Sequence, residues 1–215
     1  MADGLGGLPS GDKASSTAVR QVSQNITEHC SEPLVLREAI LDGIEQANKM
    51  IMENGIGSGT TIAAVGIEKN HMRPYHVGDS AVLITGQRGK IKYQTIPHSP
   101  VGYAVEAGLI ETEEAIYHEE RHLISNIIGT AEMRVEIGPK IKLAPRDTLV
   151  IASDGLFDNL QIEEIVNIIR SGPLHLAAES LTNICRERMT EFSETRPHKP
   201  DDLGFILFRP GRSPV

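Results

Sequence analysis

The chain has 215 residues, 40% hydrophobic and 23% charged, the balance of a soluble protein able to bury a core of its own. At roughly 150 residues per domain, that length suits one domain or one with a small addition. The net charge of −8, carried without any basic stripe, disfavours DNA or RNA as a partner, and no apolar run approaches the roughly 18 to 20 residues of a membrane span. The start, MADGLGG, lacks the basic-then-apolar order of a signal peptide. Cys30 and Cys185 lie far apart and fit no CxxC pattern. A reducing, cytoplasmic compartment is expected, without a disulfide framework.

Two helices are expected first. From Asp12 to about Cys30, Ala14, Ala18, Val19, Val22 and Ile26 recur at helical spacing. From Pro33 to Asn54, Leu36, Ile40, Ile44, Ala47 and Ile51 do the same, with Ser31 placed to cap the start and Gly55 suited to a left-handed stop. The pattern then changes to strands. Thr60–Ile67 is β-branched and nearly continuous, as in a strand buried on both sides. Pro74–Gly78, Ala81–Thr85 and Lys90–Thr95 follow, separated by Gly78-Asp79-Ser80 and Gln87-Arg88-Gly89, and read as an antiparallel meander. Ser99 to Ile128 is mixed, with a short helix near Thr112–His118. Strands resume at Arg134–Leu143 and Leu149–Ala152, helices at Gln161–Arg170 and Pro173–Met189, and Leu203–Arg209 reads as a final buried strand. Helices before and after runs of strands predict one α+β domain over residues 1–209, with 210–215 as a loose tail.

Acidic residues recur at the expected strand ends. Asp3 opens Asp-Gly-Leu-Gly-Gly, Asp79 sits in Val-Gly-Asp-Ser, Asp154 in Ala-Ser-Asp-Gly-Leu-Phe-Asp, and Asp201-Asp202 precede the last strand. One Asp-Gly pair is most simply a turn. Four such sites in order, three beside glycine, suit a hard-oxygen centre for Mg²⁺ or Mn²⁺.

These segments resemble, in order and nearly end to end, the signature blocks of the metal-dependent serine/threonine protein phosphatases of type 2C in their bacterial form. Ala2–Gly7 resembles the first metal-binding block, Gly59-Thr60-Thr61 the Gly-Thr-Thr-Ala strand start, and Val77–Ser80 the next block. The stretch from His98-Ser99 through Glu113-Glu114-Ala115 to Arg121 and Gly129 resembles the variable middle. Ala152–Asp158 is the most specific match, and Asp201-Asp202 resembles the closing Asp-Asn or Asp-Asp element. The resemblance implies a four-layer α-β-β-α sandwich of two antiparallel sheets flanked by helices. It implies two Mn²⁺ or Mg²⁺ ions, with Asp3 bridging them and the Gly4 carbonyl on one. Asp154 and Asp201 would hold the second ion, and Asp79 with Asp154 a third, weaker one. Asp3, Asp154 and Asp201 are then the catalytic carboxylates, and a hydroxide bridging two ions would attack phosphoserine or phosphothreonine in a protein, with no phosphoenzyme. A cognate serine/threonine kinase is an implied partner.

Three departures stand out. The family's strands before the Asp-Gly block carry a phosphate-gripping arginine and an acidic metal-site residue; this chain starts at the block, which implies a mis-called or truncated start, or a short inactive protein. Leu5 stands where some eukaryotic members place a general-acid histidine, and Ala81 where an arginine often follows Gly-Asp-Ser. Two other motifs compete. His118-Glu119-Glu120-Arg121-His122 matches H-E-x-x-H but contains no apolar residue for a buried catalytic helix. Gly55–Thr60 is glycine-rich but lacks the phosphate-loop lysine and reads as a turn. A non-catalytic member of the fold that binds a phosphoprotein or kinase is the other class of function; four clustered carboxylates, which repel one another, argue for catalysis instead.

Overall fold

The computed structural model describes residues 1–29, 36–191, 193 and 196–211. In chain order it has α1 (Gly11–His29), α2 (Leu36–Glu53), β1 (Ile62–Glu68), β2 (His71–Val77), β3 (Ala81–Thr85) and β4 (Ile91–Gln94). Then come α3 (Pro100–Glu106), α4 (Thr112–Ala115), a 3₁₀ turn (Glu119–His122), β5 (Glu136–Ile137), β6 (Ile141–Lys142) and β7 (Thr148–Ala152). The last elements are α5 (Asp154–Phe157), α6 (Ile162–Ile169), α7 (Leu174–Thr190) and β8 (Phe205–Phe208). Cys30, Ser31, Pro33 and residues 212–215, which carry the expected helix cap, the start of the second helix and most of the tail, lie outside the described residues.

The chain forms two compact units. The first comprises Met1–Ser80, Pro97–Ser99 and Ile124–Ile141. Its helices bury the stripes their spacing predicts: Ala14, Ala18 and Val22 of α1 join Ile40, Ile44, Ala47 and Ile51 of α2 in one cluster with Ile62, Tyr75, Val77 and Ile128. Small residues let the helices approach closely, and a Cβ on Gly43 would crowd the Val22 backbone. Its sheet has the order β1-β2-β5, with β6 also on β2, and β1 pairs antiparallel with β2 from Ile62↔Val77 to Glu68↔His71. β1 is an edge of that path, so its second half is partly exposed rather than buried on both sides. Residues 1–5 continue the pairing beyond β1. The Met1 ammonium donates to Ala63 O (2.9 Å), Ala63 N–H to Met1 O (2.9 Å), and Leu5 N–H to Gly59 O (3.1 Å).

The second unit comprises Ala81–Ile96, Pro100–Leu123 and Lys142–Val215. Its antiparallel sheet has the order β4-β3-β7-β8. β3 and β7 are buried along their whole length, and their Leu83, Val150 and Ala152 pack in one core with α6 and α7. The expected meander is corrected here: β2 and β3 belong to different sheets, so Gly78-Asp79-Ser80 is a crossing between sheets and not a hairpin turn. β8 is an edge strand paired with β7, and alternate residues Ile206 and Phe208 are exposed, so the last strand is half-buried. The expected strand Arg134–Leu143 is reduced to the two short strands β5 and β6. The helix α3 was hidden in the mixed stretch, although Ser99-Pro100 is a fair start signal, proline being at home in a first helical turn.

A charged knot locks α6 to α7. The Arg188 guanidinium, 7% exposed, meets both Glu164 oxygens (2.5 and 2.9 Å) and the Asn159 carbonyl (2.6 Å). Glu164 in turn accepts from Gln161 N–H to close a capping box. The hydrogen bonds from Arg188 hold the Glu164 carboxyl below its ordinary range. Arg188→Met should therefore destabilise the fold by about 2 to 4 kcal/mol, because charged hydrogen bonds are lost and a carbonyl is left unpaired. Melting measured against pH checks this. The deficit should be full at neutral pH and shrink as acid protonates Glu164 below its unfolded pKa, since a depressed carboxyl stabilises only while ionised. An equal deficit at pH 7 and pH 3 would contradict the ion pair. At the other end of α6, Arg209 donates to Ile169 O (2.7 Å), satisfying a last-turn carbonyl. Cys185 is fully buried in the same core, and burial pushes its thiol pKa up to about 12.

Candidate metal centre

In the first unit, four of the sequence blocks are joined by hydrogen bonds. The Asp3 carbonyl accepts from Thr61 N–H (2.8 Å) and the Thr60 hydroxyl (2.7 Å), while Asp3 N–H donates to Thr61 Oγ1 (3.1 Å). Thr61 Oγ1 also lies 2.6 Å from Ser80 Oγ. The Gly-Thr-Thr block thus ties the backbone of Asp3 to the residue beside Asp79. Gly78 has a φ of +98°, and a Cβ there would strike the Thr61 side chain, so glycine alone suits this corner. The fourth block grips the same glycine: His98 N–H donates to Gly78 O (3.0 Å), and Gly78 N–H donates to His98 Nδ1 (3.0 Å). Asp79 is half-buried at the end of that corner, and Gly4 sits beside Asp3, bridged to Thr60.

His98 belongs to a group that the sequence reading passed over as a site. His76, His98 and Glu136 place their ligand atoms within 4.8 Å of one another, and the two rings stack with centroids 4.3 Å apart. Such a group can hold a transition metal. In the structure, however, His98 Nδ1 accepts from Gly78 and lies 2.8 Å from the Asn126 amide, so its proton resides on Nε2 and is donated to Glu136 (3.1 Å). Burial and the neighbouring His76 lower the His98 pKa against the pull of Glu136, which keeps the ring in this neutral, acceptor form. The geometry describes a clamp on Gly78 more than a ligand pair.

In the second unit, β7 ends at Ala152 and the register Ala152↔Phe205 brings the start of β8 alongside, so Asp154 and Asp201 leave the same end of the sheet. Ser153 N–H donates to Gly204 O (3.0 Å), and a Cβ on Gly155 would overlap the Asp202 carbonyl oxygen. That close approach explains the glycine after Asp154. The Lys199 ammonium gathers three carboxylates: Asp154 Oδ2 at 2.5 Å, Asp158 Oδ2 at 2.7 Å and Asp201 Oδ2 at 3.1 Å. Asp158 closes the Ala152–Asp158 block, and its part here shows only in the fold. Burial raises its pKa, against the Lys199 charge. Asn159, fully buried, was also missed: it bonds both the N–H and the carbonyl of Lys199 (2.9 and 2.8 Å) and the Gly155 carbonyl (2.9 Å). Only its place one residue past the block could have flagged it.

The competing motifs dissolve. Glu119–His122 is a 3₁₀ turn whose residues are not buried, in which positions four apart do not share a face. His118 accepts from Glu120 N–H (3.1 Å), and His122 Nδ1 lies 2.8 Å from Glu119 O. Gly55 and Gly57, at φ +65° and +68°, form the turn before β1.

The family model for protein phosphatase 2C matches residues 1–192. The protein phosphatase PhpP of Streptococcus pneumoniae strain D39 is 32% identical over 84% of this chain and 76% of its own length. A serine/threonine phosphatase structure from S. agalactiae is 33% identical, covers 86% of this chain and 79% of that one, and has a TM-score of 0.76. The catalytic domain of the serine threonine protein phosphatase PstP, solved with two manganese ions, is 25% identical over 86% of this chain and 78% of that one, at a TM-score of 0.69. The expected α+β class with two antiparallel sheets and flanking helices is the fold of these neighbours.

Proposed function

The chain belongs to the protein phosphatase 2C family, and on that premise we propose how it hydrolyses phosphoserine and phosphothreonine in proteins. It is a metal-dependent protein-serine/threonine phosphatase, in line with relatives that bear that name. The observation that carries the site is the convergence of Asp154, Asp158 and Asp201 on the Lys199 ammonium. An all-oxygen donor set of this kind fits Mn²⁺ or Mg²⁺. Asp3 would be shared between two ions, with the Gly4 carbonyl on one; Asp154 and Asp201 would hold the second, and Asp79 with Asp154 a third, weaker one. Bound there, the ions would supply a nucleophile at neutral pH and offset charge on the phosphoryl oxygens.

The chain's own residues set the frame for that chemistry. Thr60 and Thr61 fix the Asp3 backbone, His98 fixes Gly78 ahead of Asp79, and Gly155 lets Asp154 approach the 201–202 segment. Water attacks phosphorus in line: a new P–O bond forms as the bond to the serine or threonine oxygen breaks, a proton lost by the water ends on that oxygen, and no phosphate is left on the phosphatase. The catalytic domain is read as residues 1–209, with 210–215 as a loose tail. A serine/threonine kinase writes the phosphate that this protein removes, in the cytoplasm. No helix of the described residues is long and apolar enough to cross a membrane. Because its relatives are named phosphatases, a non-catalytic phosphoprotein- or kinase-binding role is not favoured.

The test is phosphate release from a phosphothreonine peptide in Mn²⁺ or Mg²⁺, followed by an acid quench. Free phosphate without labelled protein is expected. No release from any phosphoserine or phosphothreonine peptide would end this reading.

A further inference from the structure

Lys199 stands out in the acidic cluster because it is fixed there from both sides. Its N–H and carbonyl are both bonded to the buried side chain of Asn159, whose own carbonyl is held by Arg188. The side chain is only 20% exposed and ends 2.5 to 3.1 Å from three carboxylates. Little water screens those pairs. An ammonium held on one oxygen of each of these carboxylates competes with a divalent ion for them, since the two cations repel each other at that range.

Resting on the metal reading above, we propose that Lys199 is a tethered competitor of the divalent ion. Its ammonium occupies the Asp154, Asp158 and Asp201 oxygens until an ion displaces it. Metal affinity at this end of the second unit is thereby lowered, and activity follows the supply of free Mn²⁺ or Mg²⁺ instead of being permanently loaded.

Two measurements test this on the full chain. By calorimetric titration with Mn²⁺, Lys199→Met should bind at least about tenfold tighter than wild type, since a cation in direct contact with the ligands is gone. Lys199→Arg, which keeps the charge, should not tighten. On the unmodified protein, amine acylation of Lys199 read by mass spectrometry should be slow without metal and speed up at least about tenfold in saturating Mn²⁺, as the displaced ammonium becomes reachable. Equal Mn²⁺ affinity in wild type and Lys199→Met, or acylation indifferent to Mn²⁺, overturns the competition while leaving the metal site standing. Absence of Mn²⁺ binding in every version overturns the site and this inference together.

Discussion

Asp154→Asn is expected to lower kcat/KM on a phosphothreonine peptide at least about a thousandfold while the protein stays folded. The carboxylate lies 2.5 Å from the Lys199 ammonium and, in the proposed site, serves two of the ions. Loss of metal charge at the phosphoryl group is worth several kcal/mol of transition-state stabilisation, and each 1.4 kcal/mol is about tenfold in rate. Stability should move little. Asp154, Asp158 and Asp201 share one lysine, so removing one carboxylate relieves repulsion even as it removes an attraction. Kinetics paired with thermal melting decide the matter: unchanged turnover would remove Asp154 from the site, and a collapsed melt would show a structural role.

Chelation should have an equally large effect. Exhaustive EDTA treatment is expected to abolish phosphate release, and Mn²⁺ or Mg²⁺, but not Zn²⁺, to restore it, because the proposed ligands are all oxygens. Activity that survives chelation would count against the site. Rescue by Zn²⁺ alone would shift attention to the nitrogen donors His76 and His98 beside Glu136.

Much of this was legible in the residues. The apolar spacing of α1 and α2 and the apolar runs of β3 and β7 depend on local rules, and the structure places them where those rules point. What escaped depends on pairing across the chain. Whether Gly78-Asp79-Ser80 turns a hairpin or crosses between sheets is decided by which ladder β3 joins, and no local pattern encodes that. The same holds for Thr61, whose hydroxyl links Asp3 to Ser80 across 58 and 19 positions. Asn159 and Asp158 lay at the edge of the most specific block, yet their work is visible only once Lys199, 40 positions on, folds back onto them.

The buried sulfur of Cys185 makes the protein a reporter on its own opening. With its thiol pushed up to about 12 and packed against the sheet, almost none of it is thiolate at neutral pH, and an alkylating reagent cannot reach it in the closed state. Modification therefore proceeds only through excursions that separate α7 from the strands beneath it. Alkylation of the peptide bearing Cys185, followed over hours, counts those excursions directly, and its slowing on addition of metal ion or phosphopeptide would measure how far each ligand holds the second unit shut.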